Sequence, residues 1–225
     1  MDSLSLNELR VIAKQYRLSG KTKKDLVKSI TDHHNNLKKW VNYTCLYQLG
    51  TKGKDGRTFL VQNKNGAEYA MKVFEPSKNP VHIQREVDLQ TIAAREGVAP
   101  SIFDYDITGR FIVMEKLDKT LYDYFVEQGG QLTIPQQKDV VRMFRRLDKC
   151  SVFHNDPNPL NFMKRGRKWF TIDYGLAKRI TPMILERWGE TPNERCMALG
   201  LIIHLRRIHK DALLTYLELA SRGEN

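Results

Sequence analysis

The chain has 225 residues, of which 41% are hydrophobic and 28% charged, and a formal net charge of +11. It contains no apolar run of the ~18 residues that a membrane-spanning helix needs, no basic-then-apolar secretory signal, and only three widely spaced cysteines, which argues against a disulfide framework or a zinc site. The expectation is a globular intracellular protein, cytoplasmic or nuclear, with no membrane partner, whose positive charge points to polyanions such as nucleotide or nucleic acid.

Leu6, Leu9 and Ile12 recur on one helical face, and Ser5 with Glu8 three residues later forms a capping-box pattern. Gly20 centres a basic turn, and Leu26, Val27 and Ile30 mark a second helix. Residues 1–40 hold nine Lys/Arg against four Asp/Glu. Residues 33–40 read as a polar linker or helix end. Strand patterns follow at 43–50 and 58–74, the second broken by Asn65-Gly66, a strong hairpin signal. Residues 80–95 read as a helix with Val81, Val87, Leu89, Ile92 and Ala93 as its apolar stripe. A strand at 110–117 follows a turn at Gly109. Helices are expected at 119–128 and 135–149, a strand at 169–172, and helix from 182 onward.

The stretch Ser151–Met163, SVFHNDPNPLNFM, places His154, Asp156 and Asn161 in one loop. That polar mixture serves no core, and it is the composition of a catalytic loop. From about residue 43 to about residue 208 the chain resembles a protein kinase. HNDPNPLN matches the catalytic-loop pattern H-R-D-x-x-x-x-N. Asp173-Tyr174-Gly175 stands where that family has D-F-G, and Tyr69 to Lys72 where it has V-A-I-K. Glu86 takes the place of the helical glutamate, and Thr51 to Thr58 that of the Gly-rich loop.

What the resemblance implies is an α+β, bilobal kinase-like fold with a reduced C-lobe, preceded by a small helical hairpin. Residues 1–36 would be a SAP-like helical module, 37–42 a linker, 43–117 the N-lobe and 118–225 a compact C-lobe. The cofactors would be ATP and Mg²⁺. Phosphoryl transfer asks for positioning and charge neutralisation. Asp173 and Asn161 offer the oxygen ligands that Mg²⁺ prefers. Lys72 can hold the α- and β-phosphates, with Glu86 fixing it by a charge-assisted bond. Asp156 would orient the attacking hydroxyl and take its proton, and His154 reads as a buttress of the loop. Thr51, Gly53, Gly56 and Thr58 would line the phosphates, with Gly53 and Gly56 letting the backbone come close. Ala70, Met114, Glu115 and Leu117 would border the adenine.

The resemblance implies a protein kinase with Ser/Thr as acceptors in a protein substrate, and the departures from it make that kinase compact and atypical. Asn155 replaces the Arg of H-R-D, Asn158 the Lys two residues after the catalytic Asp, and Tyr174 the Phe of D-F-G; no A-P-E triplet is present. Residues 191–207 resemble the helix that anchors the lower lobe, with Glu194 and Arg195 near that family's Asp. The short lower lobe is similar to RIO kinases, to the small kinase of the tRNA-threonylcarbamoyl machinery and to kinases of large DNA viruses. Three other readings stay open: a pseudokinase or nucleotide-binding scaffold, a small-molecule phosphotransferase of the aminoglycoside or choline kinase type, and a nucleic-acid-binding protein built on this platform. The first helical pair resembles SAP modules and the N-terminal module of the Rho terminator on Leu6, Leu9, Ile12, Leu18, Gly20, Lys23, Leu26 and Ile30, which implies nucleic acid as a partner of residues 1–36. A pair of helices that simply packs on the next domain is the alternative.

Overall fold

A computed structural model describes residues 4–15, 20–39, 42–53 and 55–224. Leu18 of the expected basic turn, and residues 40–41 of the expected linker, lie outside this set. The described residues form a mixed α/β structure with antiparallel sheets. They divide into two compact units, Met1–Lys78 with Asp104–Lys116, and Asn79–Phe103 with Leu117–Asn225.

The first unit begins with α1 (Leu6–Gln15) and α2 (Lys23–Lys39). Glu8 and Ser5 exchange hydrogen bonds as a capping box requires, Ser5 N to Glu8 Oε2 at 2.7 Å and Glu8 N to Ser5 Oγ at 3.3 Å. Thr22 and Asp25 repeat the device at the start of α2. Leu9, Ala13, Leu26 and Ile30 bury against each other between the two helices. Helix α2 runs through residues 37–39, which sequence patterning assigned to a linker.

Strands β1 (Tyr43–Leu49), β2 (Gly56–Asn63), β3 (Glu68–Phe74), β4 (Ile102–Asp106) and β5 (Phe111–Met114) form one sheet in the order β1-β2-β3-β5-β4. The β2–β3 turn closes on Asn63, whose side-chain oxygen accepts from Asn65 N and Ala67 N while Gly66 takes a φ of +82°. Phe59, Val61, Met71, Phe111 and Val113 make one apolar face of this sheet. At residue 110 it is Arg110, not Gly109, that takes a positive φ. Arg110 donates to Lys78 O at 2.5 Å.

The second unit starts with α3 (Pro80–Arg95), capped by Asn79 and carrying Pro at its first turn. Its buried face is Ile83, Glu86, Val87, Leu89, Gln90 and Ala93. Val81, placed on the apolar stripe by periodicity, is 70% exposed, because a first-turn residue lies beyond the packed surface. Short strands β6 (Lys119–Thr120), β7 (Val152–Phe153), β8 (Phe162–Arg165), β9 (Lys168–Thr171) and β10 (Lys178–Arg179) form two small sheets, β6-β8-β9 and β10-β7. Helices α4 (Leu121–Glu127) and α5 (Ile134–Lys149) precede them; α6 (Pro182–Trp188), α7 (Ala198–Ile208) and α8 (Thr215–Arg222) follow. The stretch beyond residue 182 is therefore three helices, with a π-helical turn, Asn193–Met197, leading into α7. The core includes Phe125, Val140, Phe144, Leu147, Phe162, Leu201 and Leu217, all fully buried. Among the described residues no helix is long and apolar enough to cross a membrane.

Candidate functional site

In the second unit, α5 ends at Lys149 and the chain turns through Ser151, at φ +56°, into β7 and then the loop that carries His154, Asp156 and Asn161. His154 is fully buried. Its Nε2 lies 3.0 Å from Ile172 O, an acceptor, so this nitrogen carries the proton. Its ring packs edge-on to Tyr174 with centroids 5.0 Å apart. Burial holds its pKa below the ordinary value, so the ring is neutral and acts as a spacer between the loop and the end of β9. Asn161 is also buried, and its backbone carbonyl accepts from Ile172 N at 2.8 Å. These two bonds fasten both ends of the loop to the residue just before Asp173.

Asp156 is half-buried, and its Oδ1 accepts from Asn158 N at 3.2 Å. Asn158 in turn caps the single turn Pro159–Asn161 through Leu160 N. Asn155 has φ +63° and Asp173 φ +62° with ψ +77°. Asn and Asp tolerate this left-handed region better than other non-glycine residues. The Asn that departs from H-R-D is thus suited to the backbone it occupies. Asp173 is exposed, and Gly175 N donates to its Oδ1 at 3.4 Å. Arg85 of α3 donates to Gly175 O at 3.4 Å, next to the buried Glu86.

Beneath the loop lies a network that sequence reasoning placed one residue off. Asn193, not Glu194 or Arg195, reaches the loop: its Oδ1 accepts from His154 N at 2.9 Å, and its Nδ2 donates to Val152 O and Asp148 Oδ1, each at 2.7 Å. Asp148 also accepts from Asn193 N at 2.8 Å and Glu194 N at 3.1 Å. Burial pushes the Asp148 carboxyl up to about 6, against the opposing effect of those bonds. Glu194 forms a two-pronged ion pair with Arg145 at 2.8 and 2.7 Å, which holds the guanidinium above its ordinary pKa. Gly200 of α7 lies so close to the loop that a Cβ there would come within 2.3 Å of Pro157 Cγ. A polar pair 45 residues apart leaves no local signal; a polar Asn opening an apolar helical run is the one cue the sequence offers.

In the first unit, Thr51 and Gly53 lie in the connection from β1 to β2, where Gly53 N donates to Gly56 O at 3.0 Å. Gly56 has a second reason to be glycine. It pairs with Phe74, and a Cβ would stand 2.2 Å from Val73 O, so the approach of β2 to β3 itself requires it. Thr58 is opposite Lys72, and Ala70 opposite Met114. Lys72 is 9% exposed and lies 5.0 Å from the Phe74 ring centroid. Met114 is buried and Glu115 half-buried; Leu117, also buried, belongs to the second unit, at the start of its longer segment.

Among the described residues no cluster of three or more His, Cys, Asp or Glu forms a self-contained metal site. Asn161 and Asp173 nevertheless fit Mg²⁺ by donor type, since that ion takes oxygen ligands, needs only one or two from protein and completes its shell with water and phosphate. The three cysteines are free, and burial pushes each thiol upward, Cys45 to about 11, which disfavours thiolate chemistry.

No protein-family model matches the chain. It is 24% identical over 120 residues to the non-specific serine/threonine protein kinase Cdc7 of Drosophila melanogaster. The match takes in 51% of this chain and 17% of that relative. The chain is thus distantly similar to a serine/threonine kinase over half its length.

Proposed function

We propose that the chain is an ATP- and Mg²⁺-dependent protein kinase that transfers the γ-phosphoryl group to a Ser or Thr hydroxyl of a protein substrate, on a compact bilobal kinase-like fold. The observation that carries this reading is the double fastening of one loop: His154 Nε2 to Ile172 O and Ile172 N to Asn161 O. Those bonds put the carriers of Asp156 and Asn161 in fixed register with the left-handed Asp173. A loop so constrained, holding one half-buried carboxylate and one oxygen donor and fastened to the residue before a second, suits a reaction that depends on positioning.

Asp156 accepts a hydrogen bond from the acceptor hydroxyl, aligns it and takes its proton. Asp173 and Asn161 hold Mg²⁺, which supplies charge neutralisation at the phosphates when bound. Lys72 and Glu86 keep the roles that the resemblance gives them, as do Thr51, Gly53, Gly56 and Thr58 at the phosphates and Ala70, Met114, Glu115 and Leu117 around adenine. His154 takes no part in proton transfer, because it is buried and neutral. The paired helices α1 and α2, with exposed Lys21, Lys23, Lys24 and Lys28, would be a SAP-like contact for nucleic-acid phosphates.

The test is incubation with labelled ATP and a mixture of generic protein substrates, with Mg²⁺ and with chelator, for the wild type and Asp156→Asn. Metal-dependent labelling of Ser/Thr that the variant loses supports the reading. ATP binding without transfer in the wild type would make the chain a nucleotide-binding scaffold. Transfer to aminoglycoside or choline but not to protein would place it among the small-molecule phosphotransferases.

A further inference from the structure

The hairpin of β8 and β9 has the tip sequence Lys164-Arg165-Gly166-Arg167-Lys168, four cations in five residues. Its register sets Arg165 directly opposite Lys168. Like charges directly opposite on a sheet repel and destabilise the pairing. The neighbouring helix adds to the repulsion. A Cβ on Gly97 would stand 2.8 Å from Lys168 Nζ and 3.5 Å from Arg146 Nη2, so both cationic heads converge on the same opening. Burial, then Arg146 and Arg165, lowers the Lys168 pKa, as a group held in a positive field requires.

Two carboxylates lie beside this cluster, Glu96 and Asp118. Glu96 is shared between Lys149, at 3.3 Å, and Arg146, at 3.9 Å. Asp118 faces the tip, where it accepts from Gly166 N at 3.3 Å. The aromatic rings beneath the cations are not offered to solvent. Phe170, 3% exposed, lies 5.1 Å from Lys168 Nζ and 5.6 Å from the Arg165 guanidinium, and Trp169, 5% exposed, lies under Lys164. These rings stiffen the hairpin and hold its charges in place.

We propose that the tip of the β8–β9 hairpin, together with Arg146 and Lys149 of α5, is a binding surface for the phosphate backbone of duplex nucleic acid. The surface is cationic and carries none of the large exposed apolar side chains that anchor a protein partner. Its buried aromatics provide no platform on which single-stranded bases could stack. What remains is charge fixed at intervals on a rigid hairpin, which neutralises phosphates without reading sequence. The surface lies wholly in the second unit and is separate from the α1–α2 pair. It is also independent of the phosphotransfer reading, because its readout is binding alone.

The experiment is fluorescence anisotropy of a labelled duplex of mixed sequence with the full chain across a salt series. Three proteins are compared: wild type, Arg165→Gln/Lys168→Gln, and Lys21→Gln/Lys23→Gln/Lys24→Gln. Loss of two phosphate contacts should lower the magnitude of the log K against log[salt] slope by about 1.8 and weaken binding about 60-fold at 0.1 M salt. Thermal melting of the three proteins, measured alongside, separates a binding loss from a folding loss. Wild-type binding that the hairpin variant retains with an unchanged slope overturns the proposal, and binding lost only in the α1–α2 variant does so as well. Stronger displacement of the duplex by polyglutamate than by unlabelled duplex would assign the surface to an acidic protein instead. Absence of wild-type binding at low salt removes the surface altogether.

Discussion

Asn193 holds His154 by its backbone N–H, 2.9 Å from Asn193 Oδ1, and holds Asp148 with the other end of the same amide, at 2.7 Å. One buried side chain thus joins the start of the loop, through His154, to the last turn of α5, through Asp148. Each Asn193 group has a partner of the opposite kind, so the amide can sit only one way round.

Asn193→Ala removes that link and leaves His154 N–H and Val152 C=O without a partner in the core. The loss should be about 3–5 kcal/mol, from at least two unsatisfied buried groups and a weakened carboxylate contact. Asn193→Asp should keep the bond to His154 but lose the donor to Val152 O and set a second carboxylate against Asp148. Urea denaturation should rank stability as wild type, then Asn193→Asp or Asn193→Ala well below it. A variant as stable as wild type would mean that the network contributes nothing to the loop.

Asp148 makes stability depend on pH in an unusual direction for a carboxylate. Burial raises its folded-state value from 3.8 to about 6. The folded protein therefore keeps this proton over a range where the unfolded chain has released it. The stabilising contribution is full below pH 3.8 and is lost as pH rises to about 6, a span worth about 3 kcal/mol. Other carboxylates titrate nearby, so the informative quantity is the difference between wild type and Asp148→Asn. Guanidinium midpoints measured from pH 4 to 7.5 should show wild type losing that amount relative to the variant. A constant difference would show that Asp148 is ionised in the folded state throughout.

Asp156→Asn should leave the ATP-induced thermal shift intact while phosphotransfer falls by about 10²–10⁴-fold, the usual contribution of a positioned proton acceptor. Asp173→Asn is the better partner variant than Asp173→Ala. Asn tolerates the left-handed backbone at φ +62°, so the change removes charge without strain. It should abolish the extra thermal shift that Mg²⁺ adds to ATP. If Mg²⁺ adds nothing to the wild-type shift, Asp173 holds no metal.

The parts legible in the sequence are those whose signal is local. The hairpin at Asn65-Gly66, the helix at Pro80–Arg95 and the capping box of Ser5 and Glu8 each depend on residues within a few positions of one another. Strand β4 was not legible. Its aromatics, Phe103 and Tyr105, are 59% and 46% exposed, so its apolar positions point away from the buried side and the alternation misleads. The two-residue strands β6, β7 and β10 exist only because distant chain supplies their partners, as Lys178 does for Phe153. In the candidate site, the spacing of His154, Asp156, Asn161 and Asp173 was readable. The Asn193–Asp148 support was not, because polar residues in helical runs ordinarily face water. Gly56 shows a third case: a glycine read as room for phosphate is already required by the approach of β2 to β3.

Tyr174 tests how much of its loop's order depends on one hydroxyl. The ring is fully buried against His154, and its hydroxyl meets Thr171 Oγ1. Thr171 Oγ1 donates to Val98 O at 3.0 Å, and Thr171 N donates to the same carbonyl at 2.7 Å. The threonine proton is therefore committed to Val98, and the tyrosine must be the donor in its own bond. Burial pushes the phenol further above its ordinary pKa, so it stays protonated and able to donate at any working pH. Tyr174→Phe deletes the donor but strands no other group, since Thr171 keeps its bond to Val98. The cost should be about 1 kcal/mol, the net value of one neutral hydrogen bond, with phosphotransfer unchanged. Thr171→Val should cost more, about 1.5–3 kcal/mol, because it leaves the Tyr174 hydroxyl buried without an acceptor. The double variant should then be less destabilised than the two single losses added together, since the tyrosine hydroxyl that Thr171→Val strands is gone. Urea denaturation of the four proteins gives the coupling directly. Simple additivity would show that the two hydroxyls do not interact, and a collapse of activity in Tyr174→Phe would show that the hydroxyl, and not the ring, sets the backbone at Asp173.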